Sequence, residues 1–85
     1  MTFGELVKYY REKSGMSQRK FAECVGSSLN HLRAIENGEA RLPSALMVAQ
    51  MVEELGLTPF EAIKLLKALS EDAERAKKPS RLGAI

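Results

Sequence analysis

Residues Ser17 to Pro43, SQRKFAECVGSSLNHLRAIENGEARLP, decide how this chain folds. Ser17 supplies an N-cap oxygen, and Phe21, Ala22 and Val25 recur behind it at spacings of one, three and four, the mark of a short helix with one buried side. Gly26 gives the backbone freedom that a helix end requires, and Ser27-Ser28 offers a fresh N-cap almost at once. Leu32 and Ile35 then form the buried side of a second helix, which stops at Glu36-Asn37-Gly38. Helices joined by so short a turn must cross at a steep angle. This is the helix-turn-helix, an arrangement used to read DNA.

The flanks extend the same pattern. Upstream, Thr2-Phe3-Gly4-Glu5 is a capping box, followed by Leu6, Val7 and Tyr10 at helical spacing and closed by Gly15. Downstream, Ser44 caps a fourth helix with Leu46, Met47, Ala49, Val52 and Leu55 as its apolar side before Gly56. Thr58-Pro59-Phe60-Glu61 is a second capping box, with proline at the first helical position where it costs least. It opens a fifth helix running to about Ala76. Strand-like alternation and internal repeats are both lacking. The sequence therefore predicts an all-α, five-helix fold: a single domain over residues 1–76 and a basic, flexible tail over 77–85.

Size and composition bound the function. A chain of 85 residues buries only about 60–65% of its unfolded surface, enough for one modest core. No apolar run approaches the roughly 18–20 residues needed to span a bilayer, and the N-terminus lacks the apolar region of a signal peptide. Cys24, the single cysteine, cannot form an intramolecular disulfide, and metal-ligand clusters are absent, so a reducing cytoplasm is the expected home and no cofactor is expected. The balance of 13 Lys and Arg against 11 Asp and Glu gives +2, too mild to name a partner. DNA attracts a basic face rather than a basic total, and residues 1–43 hold Lys8, Arg11, Lys13, Arg19, Lys20, Arg33 and Arg41. Paired carboxylates, a glycine-rich phosphate loop and a nucleophile–base pair are all missing, so an enzyme is not expected.

At this point a resemblance enters. Arg11, Gly15-Met16-Ser17-Gln18, Phe21-Ala22, Val25-Gly26, Leu32, Ile35-Glu36-Asn37-Gly38 and Pro43 together resemble the Cro/phage-repressor (Xre-type) family of helix-turn-helix regulators, over Phe3 to Thr58. The resemblance implies a lambda-repressor-like domain in which the helix from Ser28 to Glu36 or Asn37 lies in the major groove, Ser28 among its DNA-contacting residues. It puts Leu29, Asn30, His31 and Arg33 where relatives read base edges, and Gln18 and Asn37 where they touch phosphate. Arg41 falls in a loop that approaches the DNA backbone. Glu36 is implied to pair with Arg11, a structural salt bridge tying the first helix to the third. Two positions depart from the pattern: Glu39 stands where many relatives carry a basic residue, and Leu29 where many carry a polar reader.

The chemistry of those residues fits the implied roles. Asn can pair bidentately with adenine N6 and N7, and Arg with guanine O6 and N7, whereas Leu29 can only pack on a thymine methyl or on sugars. Amides at the start of the second helix can hold a phosphate, aided by the helix dipole. Plainer readings stand beside these. A lone histidine such as His31 is usually just a polar surface residue, Cys24 an incidental thiol, Met47 and Met51 core fillers, and the basic tail a solvated charge run.

In the fifth helix, Ala62, Leu66, Leu69, Ala73 and Ala76 repeat at four, three, four and three, a heptad stripe that either covers the core of its own chain or also pairs with a second copy, and both roles together are the favoured reading. Phe60, Ile63 and Leu65 lie off that stripe and are expected to pack back onto the domain. Two-fold dimers of the resembled family set their recognition helices about 34 Å apart, matching one turn of a palindromic site. The leading expectation is a sequence-specific DNA-binding transcription regulator, a repressor acting as a homodimer on double-stranded DNA. The alternatives are the antitoxin half of a toxin–antitoxin pair, whose fifth helix grips a protein partner, and a restriction–modification controller protein.

Overall fold

The computed structural model describes residues 1–39 and 43–84, with side chains as far as Glu74. Among the described residues the chain forms five helices and no strand: α1 (Phe3–Lys13), α2 (Gln18–Cys24), α3 (Leu29–Glu36), α4 (Ala45–Leu55) and α5 (Pro59–Ala84). The capping residues read from the sequence do the work of starting them. Thr2 and Glu5 exchange both bonds of a capping box, Thr2 N–H donating to Glu5 Oε1 at 2.8 Å and Glu5 N–H to Thr2 Oγ1 at 3.2 Å. Thr58 and Glu61 repeat the arrangement at the head of α5, at 2.9 and 3.2 Å. Ser17, Ser28 and Ser44 each accept a backbone N–H three residues on.

One core joins all five helices. Phe3, Leu6, Val7 and Tyr10 of α1 meet Phe21 and Ala22 of α2 with Val25 just after it, Leu32 and Ile35 of α3, Val48, Met51 and Leu55 of α4, and Leu65 and Ala68 of α5. Helix α1 lies against α3 and α5, and α2 against α3 and α4. The N-terminus of α1 is pinned to α5 by Phe3 N–H, which donates to Asp72 Oδ2 at 3.1 Å. The α1–α3 crossing is closer than any side chain permits: a Cβ on Gly4 would overlap the Ile35 carbonyl oxygen and stand 2.8 Å from that of Glu36. Glycine is what lets the two backbones touch.

The structure corrects three expectations. In α4 the core face is Val48, Met51, Val52 and Leu55, spaced i, i+3, i+4, i+7, while Leu46 and Ala49 lie on the outer side and are exposed. In α5 the face turned to α1 is centred on Leu65 and Ala68, with Leu69 packed beside them. Phe60 and Ile63 therefore do not pack back onto the domain. They sit five and two residues before Leu65, on the opposite side of the helix, and are 77% and 59% exposed. The backbone of α5 also stays helical to Ala84, through the segment read as a tail from Lys77. Lys77, Lys78, Arg81 and Leu82 favour that extension by propensity, whereas Pro79, which cannot donate to the carbonyl of the preceding turn, and Gly83 oppose it.

Candidate nucleic-acid interface

Helices α2 and α3 are linked by a turn whose geometry follows from Gly26. Its φ of 69° lies in the left-handed region, and Ser27 N–H closes the end of α2 on the Ala22 carbonyl at 2.8 Å. Ser28 caps α3 on the next residue, its hydroxyl oxygen accepting His31 N–H at 3.1 Å. Leu32 and Ile35 anchor α3 to the core on one side. On the other, Asn30, Arg33 and Asn37 recur at i, i+3 and i+7 and are all exposed, while Leu29 at the head of the helix is half-buried. The result is a row of hydrogen-bonding side chains on a rigid, well-anchored helix.

His31 is exposed but leans to the other edge of α3. Its Nδ1 stands 3.2 Å from Ser27 Oγ, on the wall of a shallow groove that α3 shares with Ser44, Leu46 and Gln50. Arg41 lies outside the described residues. On α2, Arg19 and Lys20 are exposed cations. Reasoning from the motif did not single them out, though the count of basic residues in this half of the chain contained them.

Behind the exposed row lies a buried charged cluster. Arg11 Nε and Nη2 donate to Glu36 Oε2 and Oε1 at 2.7 and 3.1 Å, a two-pronged contact, while Nη1 donates to the Met16 carbonyl at 2.8 Å. Both residues are buried, so the pair joins α1, the α1–α2 turn and the C-terminal end of α3 into one rigid unit. Gln18, read from the resemblance as a phosphate contact, also takes part in this cluster. Its Nε2 donates to Glu36 Oε1 at 2.9 Å, and its Oε1 accepts from Arg33 Nε at 3.4 Å.

The heptad stripe of α5 is shared between the core and the surface as far as Ala73, and the Ala76 side chain lies outside the described residues. Leu69 packs against the core of its own chain, Ala62 and Ala73 are half-buried, and Leu66 is 50% exposed. The outward row of α5 is instead Phe60, Ile63 and Leu66. Among the described residues no group of His, Cys, Asp or Glu is placed to hold a metal ion, and no helix is long and apolar enough to cross a membrane.

An all-helical domain in which α2 and α3 pack together across a tight glycine turn, the second of them with a polar, exposed face, defines a helix-turn-helix protein. Comparison with protein families agrees: the chain belongs to the helix-turn-helix domain family, which matches residues 4–71. Comparison with curated proteins and with solved structures gave no match. Membership of that family supports DNA binding by the chain.

Proposed function

We propose that this chain is a sequence-specific transcription regulator of the Cro/phage-repressor type, a repressor that binds a palindromic operator as a homodimer with α3 in the major groove. The observation that carries the reading is the exposed row Asn30, Arg33 and Asn37 on a helix held from behind by Leu32, Ile35 and the Arg11–Glu36 pair. Its donors and acceptors suit base edges and phosphates, and its rigid backing means little ordering on binding. Leu29, His31, the Ser28 hydroxyl and Arg41 are further contacts in this reading. Repression follows from occupying a promoter, in the cytoplasm, without chemistry or cofactor.

The homodimer rests on the outward apolar row of α5, to which the heptad stripe contributes Leu66, its most exposed member among the described residues. The same row favours a second reading, an antitoxin whose α5 binds a toxin. Sedimentation of the purified chain and identification of anything co-purifying with it separate the two.

The deciding experiment is selection of genomic fragments by the purified protein at near-physiological salt, followed by sequencing. Enrichment of a palindrome with half-sites about one helical turn apart is expected. Salt-sensitive binding with no enriched sequence would overturn the reading.

A further inference from the structure

Gln18 stands between two groups of opposite charge. On one side is the carboxylate of Glu36, which accepts hydrogen bonds and cannot donate them. On the other is the guanidinium of Arg33, which donates and cannot accept. A primary amide is the neutral group that serves both, giving Nε2–H to Glu36 Oε1 at 2.9 Å and taking Arg33 Nε–H on Oε1 at 3.4 Å. The chemistry of its neighbours fixes the orientation of the amide: turned over, it would set oxygen against carboxylate and N–H against N–H. Glutamate at this position would meet Arg33 but oppose Glu36, and lysine the reverse.

Glu36 is in turn immobile, because Arg11 grips both of its oxygens and is itself tied to the Met16 carbonyl. An unbroken series of bonds thus runs from the buried pair through Gln18 to an exposed arginine on the outer face of α3. Resting on the reading of α3 as the DNA-reading helix, we propose that Gln18 is a positioning residue that sets Arg33 for base readout. Its bond takes up Nε and leaves the two terminal nitrogens of Arg33 as the fork available to a guanine edge. Arginine side chains are long and flexible, and a fork held from behind loses less freedom on docking. Gln18 acts through Arg33, not on DNA itself.

The test combines Gln18→Met, which keeps the length and removes both bonds, with Arg33→Ala. Binding is measured to the duplex enriched by selection and to one altered at the base pair that Arg33 discriminates. Gln18→Met is expected to lower discrimination about fivefold when Arg33 is present, the size of one ordinary net hydrogen bond, and to leave it unchanged in the Arg33→Ala background. A fall in affinity by one factor for both duplexes, with or without Arg33, is the signature of a direct phosphate contact and overturns the proposal.

NMR of the free protein gives an independent readout. The Arg33 Nε–H is expected to exchange with water several-fold faster in Gln18→Met, and an unchanged rate counts against the contact. Gln18→Ala is carried in parallel, and thermal melting selects the variant that remains folded. If the wild-type chain prefers no DNA sequence, it is the regulator reading that falls, and the exchange rate alone then decides whether Gln18 holds Arg33.

Discussion

Arg11 and Glu36, 25 residues apart in sequence, meet through two parallel contacts of 2.7 and 3.1 Å with the Glu36 side chain sealed from water. Burial makes such a pair asymmetric in its energetics. Formed, it offsets most of the cost of taking two charges out of water; halved, it leaves one charge buried without a partner. Arg11→Ala or Glu36→Ala should each destabilise the fold by about 3–5 kcal/mol, a large share of what a domain this small possesses. Replacing both by apolar residues of similar size should recover most of that loss. Urea unfolding of the three variants checks this, and single variants within about 1 kcal/mol of wild type would refute it.

Gly4 sets up an opposition between local and tertiary effects. In an isolated helix Gly→Ala is favourable by about 1 kcal/mol. Here the added methyl would meet the backbone oxygens of Ile35 and Glu36, which cannot move aside as a side chain could. Gly4→Ala should therefore be destabilising, by about 1–3 kcal/mol, with α1 displaced from the end of α3. A thermal midpoint raised by the substitution would mean that the helix crossing is looser than the structure has it.

The parts of this fold legible in the sequence are those governed by local rules. The caps at Thr2, Ser17, Ser28, Ser44 and Thr58 each depend on a partner three residues away, and each starts a helix. Phe21, Ala22, Val25, Leu32 and Ile35 stand out because polar residues surround them, so the period selects one face. Helix α4 opens instead on Ala45-Leu46-Met47-Val48-Ala49, apolar all round, where no period can choose between Val48 and Leu46. Contact with α2 chooses. In α5 the run from Ala62 to Leu69 is similarly ambiguous, and docking against α1 decides that Leu65 faces in and Ile63 out. For the site, the positions on α3 followed from the resemblance, as did the Arg11–Glu36 pairing, which no local period encodes. The crowding at Gly4, the Phe3–Asp72 link and the engagement of Gln18 each require residues distant in sequence to be brought together.

Tyr10 gives the fold an alkaline limit. Burial, then the nearby charge of Glu61 and the neighbouring Tyr9, hold its phenol above the usual 10.0. Below that value both folded and unfolded chains keep the proton, and the contribution is fully present. As pH rises past it the unfolded chain ionises first, so stability falls until the folded-state value is passed. Tyr10→Phe should flatten this limb in melts taken from about pH 8 to 12, and an undiminished decline in the variant would assign the effect elsewhere.

The acid side has the opposite sign. The Thr2 N–H bond holds the Glu5 carboxyl below its usual 4.5. That contribution is present above the unfolded value and is lost as pH falls through the folded one. Glu5→Gln should make the acid limb shallower, and melts of the two proteins across the carboxylate range compare them directly. Limbs of equal slope would show that the capping box does not depend on its charge.

Asn30 and Asn37 share the outer face of α3 but should behave differently on DNA. Asn30 lies in the first turn, the part of a recognition helix that enters the groove, whereas Asn37 follows the last turn, nearer the phosphates. An amide paired with adenine carries sequence information, and its loss removes the penalty for the wrong base. Asn30→Ala should cost about 1–3 kcal/mol on the selected site and relax preference at one base pair. An amide on phosphate carries none, so Asn37→Ala should weaken binding to every duplex by a similar factor. Titration of both variants against the selected site and its single-base changes distinguishes the two. Uniform weakening by Asn30→Ala would move it to the backbone and leave Arg33 as the reader to examine next.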